Sequence, residues 1–423
     1  MHCPCGETYH VSPTHAGAHI RCRRCDRVLE IQEQKTPPPS QSGRRRRVRE
    51  AAIVRPRSAT ERVWGRWQRG VRAAVSHFGR ASGTRSEHWS APFTSTIGLL
   101  VTSAAFGALA LATYLRFQAD RSPLGMLLLF APLWWLAFPW LLLVPIAFVK
   151  SWRVGGVALF GALLTLFGIS RFEVPDLVSP DADRRALRIV SYNTDRSARL
   201  ADRVRSDIAE WNADVVLFQD CKTIVSDSLR AITTLTVHVT PEFCFATRLP
   251  LEQVDSLPTV LRPGTQGVGR FGRAMRYVVR ANGVALPIYS VHLESPRDAL
   301  WAALHLNFSL LQNSVNWRAM DSRLTSNWIS RADSAFVVAG DFNLPAGSRV
   351  LSDDWSDLEN AISVRYLGFG HTMIAGKHRV RIDHVMAPPT LVPEAVRLYR
   401  EFPSEHQPIL VDYAWRGALQ GTR

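Results

Sequence analysis

The chain has 423 residues and a formal net charge of +15, long enough for two or three domains, but the charge is unevenly spread. Residues 1–90 carry 18 Lys+Arg against 7 Asp+Glu, a net of +11, which leaves +4 for the rest of the chain. Tight duplex binding depends on cationic phosphate contacts, so this split argues against a strongly basic nucleic-acid surface on the carboxy-terminal part. It puts the positive charge just ahead of an apolar region, where cytoplasmic retention and attraction to anionic lipid require it.

In chain order, residues 1–34 come first. They hold Cys3, Cys5, Cys22 and Cys25, two close pairs with sixteen residues between Cys5 and Cys22. Four thiolates so arranged suit tetrahedral Zn²⁺, and a closed four-ligand site would be structural or a docking module. The segment resembles the small zinc ribbons that open many bacterial membrane proteins. It departs from them in spacing its first pair C-x-C, and His2, His10, His15 and His19 are alternative ligands. The competing reading is a flexible tail with reduced cysteines. No cleavable signal peptide is visible, since the first residues lack an apolar core.

Residues 35–92 read as a basic linker, with Pro37-Pro38-Pro39 and the block Arg44 to Arg47. Within it, Thr60 to Phe78 is either a basic amphipathic helix for a membrane surface or a disordered arm. Residues 93–171 are almost wholly apolar and contain three predicted transmembrane helices, about 97–117, 124–149 and 154–170. Each approaches the roughly 20 residues that a crossing needs. Pro132, Pro139 and Pro145 mark the second as a long helix or a broken, re-entrant pair. The Lys and Arg of the amino-terminal arm, with Lys150 and Arg153 between spans two and three, predict a cytoplasmic N-terminus. An odd number of spans then places the carboxy-terminal domain outside, as in a bacterial inner-membrane protein with an extracytoplasmic domain.

Residues 180–416 are an α/β domain. Leu187–Ser191, Val215–Phe218, Met275–Arg280, Pro287–Val291 and Phe336–Ala339 are runs typical of buried strands, and Ala201–Trp211 and Asp298–Ser330 read as helices. Polar residues stand where these strands end: Asn193 and Asp195, Gln219 and Asp220, His292 and Glu294, Asp341 and Asn343. Asp383 and His384 follow Arg381-Ile382, and Glu405-His406 precede another apolar run. Carboxylates, amides and imidazoles at one rim of a sheet are the ingredients of divalent-metal phosphate chemistry.

Taken in order, Ser191-Tyr-Asn193, Val216-Leu-Phe-Gln-Asp220, Ser290-Val-His292, Gly340-Asp-Phe-Asn343, Arg381-Ile-Asp383-His384 and Ser404-Glu-His406-Gln-Pro408 resemble the endonuclease/exonuclease/phosphatase (DNase I-like) superfamily. The resemblance implies a four-layered α/β sandwich, two central mixed β-sheets flanked by helices. It implies a Mg²⁺- or Mn²⁺-dependent hydrolase of phosphodiesters or phosphomonoesters, acting on nucleic acid, phospholipid or inositol phosphate. Asp220 would be the principal metal ligand, with Asn193 and Glu405 assisting at the metal or the phosphate. His292 would contact the scissile phosphate or assist proton transfer, Asp341 and Asn343 would orient the attacking water and a phosphate oxygen, and Asp383 would orient His406 as general base or acid. Two positions depart from the family pattern: Asp220 stands where Glu is usual and Glu405 where Asp is usual. The alternatives are a catalytically degenerate envelope protein with a cytoplasmic zinc-ribbon docking module, and nucleic-acid binding by the ribbon and basic arm.

Of the remaining features, Gly264 to Gly272 reads as a flexible substrate-side loop. Arg248 faces phosphate or makes a structural ion pair. Cys221 and Cys244 form a disulfide if the domain is extracytoplasmic, or remain buried thiols. His238, His305 and His371 read as structural or exposed, and Trp301, Trp317 and Trp328 as core or helix-face residues. The oligomeric state is left open.

Overall fold

The computed structural model describes residues 93, 95–176, 182–261, 270–271, 273–329, 335–400 and 402–416, with the backbone of two short paired strands, His19–Arg21 and Val28–Glu30. Cys3, Cys5, Cys22, Cys25, the 60–78 stretch and most of the glycine loop lie outside the described residues. Residues 1–56 and 57–423 form separate units; the second contains the apolar helices and the α/β domain.

Among the described residues, three helical stretches are long and apolar enough to cross a membrane, by length and composition: Thr96–Phe117, Leu133–Lys150 and Trp152–Ile169. The first is α1 (Thr96–Phe117), opened by Ser95, whose hydroxyl accepts from Gly98 N. The predicted 124–149 span is not one helix. Helix α2 (Pro123–Phe130) starts behind its cap Ser122 and stops at Ala131, which is extended (ψ 152). The cause is Pro132, whose ring disfavours the helical conformation in the residue before it. A 3₁₀ turn, Leu133–Ala137, then leads into α3 (Phe138–Lys150). Ser151 caps α4 (Trp152–Leu163), which ends in a π-helical turn, Leu164–Ile169.

Helix α2 docks on the rest of the fold. Met126, Leu129 and Phe130 share one apolar cluster with Ala299, Ala303, Leu311, Val315 and Ile382. Asp120, in the turn between α1 and α2, is buried; it accepts from Ser348 Oγ and from the backbone N–H groups of Arg349 and Val350. A carboxylate from the apolar region thus caps a helix more than two hundred residues away.

Among the described residues, the two main sheets of the carboxy-terminal domain use twelve strands, with two further two-stranded pairs beside them: β1 (Ala182–Asn193), β2 (Val215–Gln219), β3 (Thr236–Val239), β4 (Phe243–Thr247), β5 (Leu251–Ser256), β6 (Ala274–Ala281), β7 (Val284–His292), β8 (Val337–Asp341), β9 (Glu359–Asn360), β10 (Asp383–Ala387), β11 (Leu391–Leu398) and β12 (Ile409–Arg416). They form two six-stranded mixed sheets, in the orders β11-β12-β1-β2-β4-β3 and β9-β10-β8-β7-β6-β5. Period-two alternation explains the packing. Leu187 and Ile189 of β1 enter the core between the sheets, while Val190 and Tyr192 pack outward. Phe245 of β4 and Tyr277 of β6 stack at 3.9 Å between ring centroids, one sheet upon the other.

Helices α5 (Val204–Trp211) and α6 (Thr223–Arg230) cover the first sheet through Ile208, Trp211, Val225 and Leu229. The predicted 298–330 helix is two, α7 (Arg297–Leu304) and α8 (Phe308–Ile329). They are parted at Leu306, which takes a left-handed φ of 63°. Ile329 of α8 and Val350 of α9 (Arg349–Asp354) pack on the outer face of the second sheet, and α10 (Ala361–Arg365) buries Ala361 and Ile362 in the inter-sheet core. Two mixed sheets flanked by helices match the expected sandwich. Cys221 and Cys244 are joined as a disulfide.

Candidate active site

Strand register assembles the site. β1 and β2 run parallel with Asn193 opposite Gln219, and β7 and β8 run parallel with His292 opposite Asp341. β10 lies antiparallel to β8 with Asp341 opposite Asp383. β12 lies antiparallel to β1 with Ile409 opposite Ser191, so His406, three residues earlier, falls at the same rim. The carboxyl ends of the parallel strands and the amino ends of the antiparallel ones therefore meet. Gly340 makes the approach of β8 to β7 possible. Its φ is +146°, and a Cβ there would lie 1.9 Å from Val291 O, so only glycine fits beside Asp341.

Asp341 is the hub. Its Oδ2 accepts from Asn193 Nδ2 at 2.8 Å and lies 3.8 Å from His292 Nε2 and 3.9 Å from His406 Nε2. Its Oδ1 accepts from Asn343 N at 2.8 Å. Behind His406, Asp383 Oδ1 and Oδ2 lie 3.0 and 2.9 Å from Nδ1. Asn193, His292, Asp341, Asn343, Asp383 and His406 are all buried. Burial raises the pKa of Asp341, and Asp383 raises it further against the opposing pull of His406 and His292. For His406, burial disfavours the imidazolium, but Asp383 and Asp341 outweigh it and push the pKa up to about 9. His384, the other histidine of the motif, is structural. Its Nε2–H donates to Leu344 O, its Nδ1 accepts from Asn360 Nδ2, and burial pushes it down to about 3.

A second cluster adjoins the first. Asp220, Glu242 and His292 bring donor atoms within 4.8 Å of one another, as do Asp341, Asp383 and His406. Carboxylate oxygens beside imidazole nitrogen suit a divalent cation. In the Asp341 group, Asp383 and His406 are already spent on each other. In the other, Glu242 Oε1 lies 2.5 Å from His292 Nδ1. Burial would raise the Glu242 pKa, but His292, Arg273 and Arg196 bring it below the usual carboxylate range. Arginines rim the mouth. Arg196 pairs with Asp220 (3.2 Å), Arg273 with Glu242 (3.3 Å), and Arg297 with Glu405 (3.3 Å) and Asp195 (3.7 Å). Asp195, Arg196, Asp220 and Asn343 all adopt left-handed φ between 46° and 53°, a concentration of backbone strain at the site.

Six of the predicted site residues thus come together: Asn193, His292, Asp341, Asn343, Asp383 and His406. Asp220 sits in the adjoining cluster rather than with Asn193. Glu405 joins neither cluster; its longer side chain is half-exposed and turned to Arg297. Gln219 is buried between the sheets, donating to Ser290 Oγ. Arg248 bonds Asn212 Oδ1 and Ala213 O at the start of β2, the rim opposite the site; its role there is structural, but through an amide and a carbonyl rather than the expected ion pair. Sequence reasoning missed Glu242, Arg196, Arg273 and Arg297. It also missed Arg318 of α8, fully buried, whose Nη2 donates to Asn343 O at 2.5 Å and whose guanidinium faces the Phe130 ring of α2. Glu242 follows Pro241 in a turn, which carries no local signature of a ligand.

The family described as "Endonuclease/Exonuclease/phosphatase family" matches residues 190–406. Among solved structures, the chain is similar to D. rerio TDP2 complexed with single strand DNA product (18% identity, 54% of this chain and 98% of that chain, TM-score 0.42). It is also similar to the 3'-5' exonuclease NExo from Neisseria meningitidis (18%, 54% and 100%, TM-score 0.40). A third is an endonuclease/exonuclease/phosphatase family protein from Leptotrichia buccalis (15%, 54% and 100%, TM-score 0.41). No curated protein matches the chain.

Proposed function

The chain belongs to the endonuclease/exonuclease/phosphatase family and is a phosphoester hydrolase of that type, and from this premise we propose that it is a membrane-anchored, divalent-metal-dependent phosphoesterase working at the extracytoplasmic surface. The observation that carries the reading is the position of Asp341 Oδ2 between Asn193, His292 and His406, with Asp383 behind His406.

A divalent cation, when bound, neutralises phosphate charge and stabilises the transition state. The residues of the chain do the rest. Asp341, its pKa raised, accepts the proton of the attacking water, which Asn343 and Asn193 help to orient. His406 stays protonated up to about pH 9. It therefore donates a hydrogen bond to a phosphoryl oxygen and delivers its Nε2 proton to the leaving oxygen. Asp383 holds Nδ1 and fixes the ring. This electrostatic setting favours the acid over the base role for His406.

The three apolar helices supply the anchor, and the Lys and Arg before and between them favour a cytoplasmic N-terminus. The Cys221–Cys244 disulfide favours an oxidising compartment for the catalytic domain. A tethered enzyme suits a substrate at or near the bilayer, a phospholipid or an extracellular nucleic acid. The degenerate-envelope alternative is disfavoured by a site in which each expected acid, amide and imidazole of the Asp341 cluster keeps a partner. The test is hydrolysis by the full chain in nanodiscs, with plasmid DNA, RNA, phospholipid and inositol phosphate as substrates, and with Mg²⁺, Mn²⁺ or EDTA. Metal-dependent turnover that Asp341→Asn abolishes supports the proposal. A folded protein silent on every substrate favours the degenerate reading.

A further inference from the structure

We infer that the knuckle between α7 and α8 seats in the outer leaflet of the bilayer that holds the apolar helices, and that the substrate is a phospholipid of that leaflet; this rests on the membrane-anchored reading of the function. Helix α7 is built inside out. Its buried positions are Ala299 and Ala303, whereas Trp301 and Leu304 are 62% and 72% exposed. Just past it, Leu306 and Phe308 are 78% and 52% exposed. Burying a large apolar side chain stabilises far more than burying an alanine, so a helix facing water would be built the other way round. Single exposed apolar residues are ordinary, but a contiguous patch marks an interaction surface. Residues 299–317 contain no Asp, Glu, Lys or Arg. Leu306 also takes a left-handed φ of 63°, a conformation that favours glycine, although its side chain is the most exposed of the four. The N–H groups of His305, Leu306 and Asn307 all bond back to Ala302 O or Ala303 O, as apolar surroundings require of a turn.

Continuity with the apolar helices identifies the occupant. The inner face of α7 and the start of α8 pack on α2: Ala299, Ala303 and Leu311 share one apolar cluster with Met126 and Phe130, and with Val101 and Ala158 of the candidate spans. Helix α2 lies in the connection between the first and second spans, and its own Leu124 is 57% exposed. Three spans crossing in turn put Phe117, Leu133 and Ile169 on one side of the bilayer, the side on which α2 and the knuckle sit. Trp is favoured at that interface. The other end of α7 reaches the site. Arg297, its first residue, pairs with Glu405 and Asp195 at the mouth. Arg297 and Leu304 are the two ends of α7, about 10 Å apart, a distance on the order of the headgroup layer. A knuckle seated in the leaflet therefore holds the mouth at phosphate level. A nucleic acid, as a polyanion, gains little from a charge-free apolar surface beside the mouth; a lipid still embedded in its leaflet is presented by it.

The experiment is photo-cross-linking of the full chain in nanodiscs of phosphatidylethanolamine and phosphatidylglycerol. A p-benzoylphenylalanine replaces Leu306, Leu141 or Val284, one at a time, and adducts are read by mass spectrometry. Leu141, 70% exposed on the second candidate span, reports anchoring; Val284, 47% exposed at the end of β7 remote from His292, is the control. Lipid adducts at 141 and 306, with none at 284, are expected. Adducts at 141 but not at 306, equal adducts at 306 and 284, or chain-to-chain adducts at 306 overturn the inference and leave the anchor standing. No lipid adduct at 141 overturns the anchored reading and this inference with it. The second readout is the ratio of nanodisc phospholipid hydrolysis to hydrolysis of soluble bis(p-nitrophenyl) phosphate. In the double variant Leu304→Ser, Leu306→Ser that ratio is expected to fall about tenfold or more. An unchanged ratio, or wild type that cleaves plasmid DNA and the soluble diester but no phospholipid, overturns the phospholipid assignment while the phosphoesterase stands.

Discussion

Asp383→Asn keeps the size of the side chain and removes the charge behind His406. Both carboxylate oxygens of Asp383 lie within 3.0 Å of His406 Nδ1, and both residues are buried. Burial alone would depress the imidazole; Asp383, then Asp341, lift it instead to about 9. The rise from 6.5 to about 9 corresponds to about 3 kcal/mol in favour of the imidazolium. With a neutral amide at 383, burial regains much of that, and at pH 7.5 most of the proton needed for the leaving oxygen is gone. We expect kcat to fall about 10²- to 10⁴-fold, the range for a lost or misoriented acid–base imidazole, with KM changed less than about threefold because Asp383 reaches the substrate only through His406. The assay is kcat and KM on the best substrate of the panel, with ¹⁵N-histidine titration of the metal-free protein. Stability follows with a defined sign. A histidine whose folded pKa is raised contributes fully below about 6.5 and loses that contribution as pH climbs towards 9. The stability gap between wild type and variant should therefore shrink across that window. A variant with kcat within about threefold of wild type, or with His406 still titrating near 9, would refute the reasoning.

Asp120→Ala strips three hydrogen bonds from the first turn of α9 and its cap, and should cost about 2–4 kcal/mol in urea unfolding of the micelle-bound chain; a change below about 0.5 kcal/mol would mean the apolar region is not docked on α9. Gly340→Ala drives a Cβ to 1.9 Å from Val291 O, so a loss of about 3 kcal/mol or more is expected, and a thermal melt near wild type would count against the register of β7 and β8. His371, half-buried between Phe369 and Trp134, has its pKa lowered to about 4 by desolvation and then by nearby cations. The folded state resists taking up its proton, so stability should fall as pH drops from about 6.5 towards 4, and His371→Phe should flatten that limb of the pH–stability curve.

The sequence by itself determined the elements and their chemistry. Alternation of Val, Ile, Leu and Phe marks β1, β2, β7 and β8 because a half- or fully-buried strand is a local pattern. The same local logic places Asn193, His292, Asp341 and His406 at strand ends, and the charge-free runs are legible as membrane-length helices. The break at Pro132 was legible as a kink point, though its outcome was not. What only the tertiary structure decided is which of these groups meet. Asn193 bonds Asp341 across 148 residues, a contact set by the pairing of two sheets rather than by any neighbour in sequence. Glu242 enters the site because β4 pairs with β2 in one particular register, and Glu405 leaves it because Arg297 of α7 lies within its reach. Asp120 is an ordinary loop aspartate until α9 presents its first N–H groups to it. Periodicity is a property of a few consecutive residues, whereas a site is a property of register and packing between segments that the chain closes only when it folds.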